Sequence, residues 1–383
     1  MENIAIDKES VLHSQYIIDG VRHDVPPAVL LGDSPDGAEH ADIVDETREP
    51  SLASCRYEPE KVADYMEAVA EACAEGVARP FNMVSPEHFS MLRTAGALLS
   101  MLWREGHFRL GDLCVKLGWT WETAPVGNMA AFYESVESVS GYLFDLGVRI
   151  SGYEVQISGD GSFFNVTAGI SEHSSSSEDT EDDQFLFKSS PYESRHPWAS
   201  EGRKCQEHIG TDGHDWLIFI PFDPCVFKIG DSLLAWSKRD CTGIAPAIGD
   251  PDYFIDCYEV VRELVEDGII VAGTEVAEGG LAAALQRMSA GGGLEADFSG
   301  VLSSYKETDL VKILFGEVPG ALVEIGDENF DYFDSQMLLQ DVAYYPVGRP
   351  APGKHGVNFG VDGKTDVADI IASLMGQASE GED

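Results

Sequence analysis

The chain has 383 residues, of which 67 are acidic and 25 are Lys or Arg, giving a formal net charge of −42. A charge of this sign and size excludes nucleic acid and anionic membrane as main partners, since both need basic patches. The 44% hydrophobic content is enough for real cores in about two domains. Self-repulsion on this scale fits either a salt-adapted host or a solvated acidic surface with acidic loops.

The first residues, Met1-Glu2-Asn3-Ile4, have neither a basic start nor a long apolar run, so no signal peptide is expected. Apolar runs such as 216–222 are strand-sized and too short to span a membrane. The 7 cysteines are odd in number and widely spread, with no Cys-x-x-Cys pair, which fits reduced thiols and a cytoplasmic location.

In chain order, residues 1–58 lack sustained periodicity and are expected to form a loosely ordered acidic lead-in, with one strand at 15–18. Residues 61–78 place Val62, Tyr65, Met66, Val69 and Cys73 at helical spacing. A stronger helix is expected over 86–103, opened by Ser85-Pro86. An apolar, aromatic strand follows at 113–121, a helix at 128–146, a strand from 148, a loop over 151–156 and a strand at 163–170. The acidic, serine-rich stretch 171–184 reads as an exposed insertion whose serines invite phosphorylation or are simply solvated.

Strands and helices then alternate: a strand at 216–222, a helix at 252–267, strands at 320–325, 342–347 and 357–361, and helices at 329–339 and 366–375. Between them, 268–301 reads as strand, acidic turn (Glu275 to Glu278), helix and strand, with Gly279-Gly280 opening the helix. Two glycines there permit close packing of a neighbouring element, or expose N–H groups to an anion. This mixture gives an α+β or α/β layered fold. Domain bounds are set at 59–160 and 161–375, with a tail over 376–383. Walker and G-x-G-x-x-G loops are absent. Cys205, His208, Asp212, His214 and Asp215 offer zinc-type ligands without a second Cys/His pair, and His196 beside Arg195 reads as a surface turn.

Five motifs in a fixed order carry a resemblance. Val115-Lys116-Leu117 with Trp119 and Trp121 resembles V-K-L-S-A-N-W-M-W, and Leu146 to Ile150 followed by Gly152 resembles L-G-I-x-I-P-V-G-K-D-S. KIGDSLLA (228–235) resembles L-G-G-S-x-L-A, residues 275–281 resemble D-x-S-D-G-G-L, and 314–320 resemble L-F-x-E-x-P-G. Together these are similar to the C-terminal half of the synthetase region of formylglycinamide ribonucleotide amidotransferase (phosphoribosylformylglycinamidine synthase), of the aminoimidazole ribonucleotide synthetase superfamily. The match runs over about 77–375.

The resemblance implies a two-part α+β fold: an N-terminal sheet-bearing domain that pairs with a sister copy, and a C-terminal α/β domain. It implies an auxiliary ATP/ADP site with magnesium, using Gly152, Glu154, Glu275, Gly279 and Gly280, with Glu154 and Glu275 as metal ligands. It implies no catalytic residue here. The expected partners are a second copy or a homologous synthetase half, and a glutaminase on another chain. The departures are Tyr153 for Lys, Gly96 for the acidic residue and Ser100 for Asn of G-E-A-L-T-N, and Glu154 and Glu278 for Asp. They leave three readings: an auxiliary subunit of a split ATP-dependent ligase, inactive alone; a catalytically dead pairing scaffold or regulatory decoy; or a fragment of a larger gene product.

Overall fold

The computed structural model describes residues 7–359 apart from 39, 50–55, 77, 107, 172–199, 201 and 240–242. Most of the acidic insertion, His196, and the helix and tail expected beyond residue 359 lie outside the described residues.

The N-terminal segment carries helix α1 (Lys8–His13), strands β1 (Tyr16–Ile18) and β2 (Val21–His23), helix α2 (Pro27–Leu30) and strand β3 (Ile43–Asp45). It is therefore an ordered small sheet of order β2-β1-β3, where a loose lead-in was expected. Elements this short show no periodicity, and what holds them is docking. Tyr16 is fully buried, with its ring 5.0 Å from that of Tyr133. Asp45 accepts hydrogen bonds from the backbone N–H groups of Gly127, Met129 and Ala130, satisfying donors at a helix start.

Helices α3 (Val62–Glu75) and α4 (Pro86–Leu99) follow, then β4 (Leu113–Trp121), α5 (Asn128–Asp145), β5 (Arg149–Ile157) and β6 (Phe163–Ile170). The three strands form a sheet of order β5-β4-β6, parallel on one side of β4 and antiparallel on the other. Alternation on β4 buries Leu113, Val115, Leu117, Trp119 and Trp121. The indole of Trp119 donates to the Ser135 hydroxyl (3.0 Å) and that of Trp121 to the Asn128 carbonyl (2.9 Å), so both polar edges are satisfied against α5. The predicted loop at 151–156 belongs to β5. Ser151 is an extra residue where the register shifts opposite Val115 and Lys116, and its hydroxyl bonds the Val115 carbonyl. Strand β6, placed by the expected bounds after residue 160, pairs antiparallel with β4 in this sheet.

The larger sheet has the order β12-β9-β11-β7-β10-β8. It is built from β7 (Trp216–Pro221), β8 (Ile270–Val276), β9 (Leu294–Ala296), β10 (Gly320–Ile325), β11 (Tyr345–Pro350) and β12 (Val357–Phe359). The helices of this half are α6 (Leu233–Ser237), α7 (Pro251–Glu266), α8 (Gly280–Met288), α9 (Ser299–Ser304), α10 (Leu310–Phe315) and α11 (Phe330–Leu339). Every residue of β10 is buried. Ala321, Val323 and Ile325 join the core shared with α4, α5 and α7, while Leu322 joins the core containing α3, α8 and α10. The fold is thus α+β, and all three sheets contribute to the larger of its two cores. The acidic turn expected at 275–278 begins later, because β8 extends through Glu275 to Val276. No helix among the described residues is long and apolar enough to cross a membrane.

Glu324 sits fully buried on β10, both carboxylate oxygens accepting from the Gly210 N–H (3.0 and 2.8 Å). Burial pushes its pKa up to about 7 against the effect of that bond, with Asp215 and Asp212 adding to the rise. A raised carboxyl binds its proton more tightly folded than unfolded, so its contribution is full below the unfolded value and is lost as pH rises through the folded one. The urea midpoint should therefore fall between about pH 5 and pH 8. In Glu324→Gln that fall should be shallower in denaturation curves taken across the range.

Candidate functional site

A cavity of about 550 Å³ lies where α3, α4, β6 and the β8–α8 turn meet, lined among others by Arg79, Arg93, Gly96, Asn165, Glu275, Glu278, Arg287 and Glu317. Three arginines converge here in a chain with only 25 basic residues. Each faces a carboxylate. Arg79 forms a bidentate pair with Glu317 (3.0 and 2.9 Å), both residues buried. Arg93 does the same with Glu278, one bond at 2.9 Å. Arg287 lies 3.5 Å from Glu275 and also donates to the Thr274 hydroxyl and the Glu275 carbonyl.

These pairs set the electrostatics. Burial would raise the Glu278 carboxyl, but the Arg93 guanidinium outweighs it and holds the group below the ordinary glutamate value. Burial likewise opposes the charge on Arg79, and Glu317 overcomes it, leaving the guanidinium more firmly protonated than usual. The Cys73 thiol on the rim is pushed up by burial and by Glu278, away from the nucleophilic thiolate.

Glu275 lines the main cavity, with its carboxylate accepting from the Trp103 indole (3.0 Å). Gly152 and Glu154 lie on β5. Glu154 lines a second, open cavity of about 300 Å³ with Lys116, Thr120, Gln156 and Thr167, and Asn165 borders both cavities. Gly279 and Gly280 take left-handed backbone angles (φ 81° and 63°). The Gly279 N–H donates to Glu317 (2.8 Å). A Cβ on Gly280 would come within 2.7 Å of the Leu314 carbonyl oxygen. Of the two readings of this glycine pair, close packing is what the geometry carries: the anion at the helix start is the chain's own Glu317.

The residues present do not fit a magnesium–nucleotide site. Such an ion needs free carboxylate or amide oxygens in tight octahedral geometry. Here Glu275 is held by Trp103 and Arg287, and Glu154 faces a different cavity. The Ser100 hydroxyl donates to the Ala97 carbonyl. The Tyr153 hydroxyl bonds Asp33, tying β5 to the N-terminal segment. A Cβ on Gly96 would lie 2.9 Å from that of Ala277, so the helix packs where a carboxylate side chain would start. Among the described residues, no group of three or more His, Cys, Asp or Glu side chains is placed to hold a metal. Cys205 is buried, its thiol pushed up to about 11 by burial, and the His208 ring donates to the Arg287 carbonyl.

Similarity to known proteins follows the same lines. The family model described as AIR synthase related protein, C-terminal domain, matches residues 229–331, which contain Glu275, Gly279, Gly280 and Glu317. The chain resembles phosphoribosylformylglycinamidine synthase, within the aminoimidazole ribonucleotide synthetase superfamily. The probable chloroplastic/mitochondrial enzyme of Arabidopsis thaliana is 22% identical over 309 residues, 79% of this chain and 20% of the relative. The Drosophila melanogaster synthase is 27% identical over 161 residues, 39% and 11% of the two chains. The human synthase is 24% identical over 116 residues, 30% and 8% of the two. The chain thus spans a fifth or less of these relatives' lengths. Among solved structures, Thermotoga maritima PurLQS covers 73% of this chain and 40% of its own at 14% identity, TM-score 0.47. Escherichia coli HypE covers 72% and 77% at 15% identity, TM-score 0.44.

Arg79, Arg93, Arg287 and Trp103 were not singled out from the sequence. The one available signal was the scarcity of cations, which makes any arginine beside a motif notable. Restoring the synthase-like carboxylate tests the geometry. Gly96→Glu should destabilise the fold by about 1–3 kcal/mol through overpacking, and Ala277→Gly in the same chain should recover part of the loss, read from urea unfolding.

Proposed function

We propose that this chain is a half-unit of a phosphoribosylformylglycinamidine synthase-like assembly that supplies a pairing surface and not ATP-dependent C–N bond formation. The observation that carries this is the state of the cavity's carboxylates. Glu275, Glu278 and Glu317 are each held by the chain's own Arg or Trp donors. A phosphate would have to displace a bidentate carboxylate to reach an arginine, and a divalent ion would have to strip one of its donors.

The pairing role rests on the sheet β5-β4-β6. One face is packed on α4 and α5, and the other presents Lys116, Thr120, Glu154, Gln156, Asn165 and Thr167 around an open cavity. The partner is a second copy of this chain or a homologous synthetase half, with a glutaminase as a further subunit. The competing reading, an auxiliary nucleotide subunit, draws on the cavity's size and its three arginines. Thermotoga maritima PurL has been solved with ATP and with ADP.

Titration calorimetry of the full chain with MgATP and MgADP, at low and high salt, separates the two. We expect no saturable heat. Sedimentation velocity should give a self-associated species that Thr120→Arg shifts toward monomer. Nucleotide heat that vanishes in Glu275→Ala would overturn the scaffold in favour of the auxiliary subunit.

A further inference from the structure

A separate cavity of about 310 Å³ shares Arg79 as a lining residue with the main one. Its walls include Phe81, Met83 and Trp236, and its charged lining groups are Arg48, Arg79, Arg239 and Asp231. The volume is about twice the ~150 Å³ that accepts a benzene, room for one or two rings with a substituent. Apolar walls with a few converging polar groups are the usual character of a small-molecule site.

Asp231 is the unusual member. It stands where the synthase-like pattern L-G-G-S-x-L-A has its second glycine, and it keeps a left-handed backbone, φ 63°. A side chain in that conformation is strained relative to glycine, though Asp tolerates it better than most residues. The loop is pinned by its neighbour, since a Cβ on Gly230 would come within 2.2 Å of the Gly243 backbone. The fold thus holds a carboxyl rigidly at a position where glycine would be cheaper.

We propose that this cavity is a binding site for a small planar aromatic monoanion, such as an aryl carboxylate. Its ring lies against Trp236, Phe81 and Met83, its charge is met by Arg239 and Arg48, and Asp231 donates a hydrogen bond to it.

The charges favour this class. Among the described residues Arg48 bonds the Val126 carbonyl and the Asn128 side-chain oxygen, neither of them anionic, and it also borders an open space lined by Glu87, Glu134 and Glu137. Arg79 is neutralised by Glu317. Burial pushes Asp231 up to about 7, a rise opposed by Arg79, Arg93 and the Asn82 side chain and assisted by Glu317. Near neutral pH the carboxyl is thus partly protonated, and as the acid it is a donor facing the ligand beside two guanidinium groups. Guanidinium planes and the indole also suit an aromatic ring by stacking.

The test is calorimetry of the full chain with benzoate and 2-naphthoate at about pH 6 and pH 8, with benzamide and cyclohexanecarboxylate as comparisons. We expect saturable binding of the aryl carboxylates at the lower pH, weaker by about tenfold at the higher as Asp231 ionises. Asp231→Asn should bind equally at both pH values, and Arg239→Gln should weaken binding by about tenfold or more. Three results would overturn the proposal. One is no saturable binding to either the wild-type chain or a folded Asp231→Asn. The second is aryl carboxylate binding indifferent to pH and to Arg239→Gln. The third is benzamide or cyclohexanecarboxylate binding as well as benzoate.

Discussion

Glu317 is the group on which the two halves of the molecule depend. Its carboxylate takes two bonds from Arg79, in the link between α3 and α4, and one each from the backbone N–H groups of Leu233 (2.7 Å) and Gly279 (2.8 Å). Arg79, α6 and the start of α8 therefore meet at one buried charge. A buried carboxylate is costly unless its lone pairs and its charge are both matched, and here both are. The same bonds decide what the neighbouring cavity can do. An arginine and a helix N-terminus would together attract a phosphate, but Glu317 already occupies both.

The rest of the cavity repeats that logic with Arg93 on Glu278 and with Trp103 and Arg287 on Glu275. A chain carrying −42 has few cations, and it places three of them against internal carboxylates. This converts a space shaped like a ligand site into a set of cross-links between α4, β8 and the loop before β10. The sheet β5-β4-β6 keeps one face open, and the proposed pairing role rests on that face.

Much of the architecture was legible in the sequence for physical reasons. Alternation at 113–121 is strict because one face of β4 is buried against two helices. The helices at 86–99 and 128–145 carry long apolar stripes. What was hidden depends on tertiary contact. The short elements of 8–45 exist because Tyr16 and Asp45 dock on α5. Ser151 and Gly152 look like a loop until β4 pairs alongside with a register shift. The site was legible in part. Glu275 does line a cavity and Gly279 does open a helix, but nothing in a linear pattern announces that Arg79 comes 238 residues along the chain to reach Glu317. Nor does the pattern announce that Gly96 is small because Ala277 lies against it. The resemblance to a synthase located the positions, and the packing decides their present use.

The most direct measurement of the central claim is a double-mutant cycle across Arg79 and Glu317, using Arg79→Met, Glu317→Gln and the pair, with stability read from urea unfolding at fixed salt. If the pair is the internal tie described here, each single change leaves a buried charge without its partner, and the double change costs much less than the sum. The coupling should then reach about 2–3 kcal/mol. Additivity within about 0.5 kcal/mol would contradict the account, because Arg79 would then be independent of Glu317 and free to serve a bound anion.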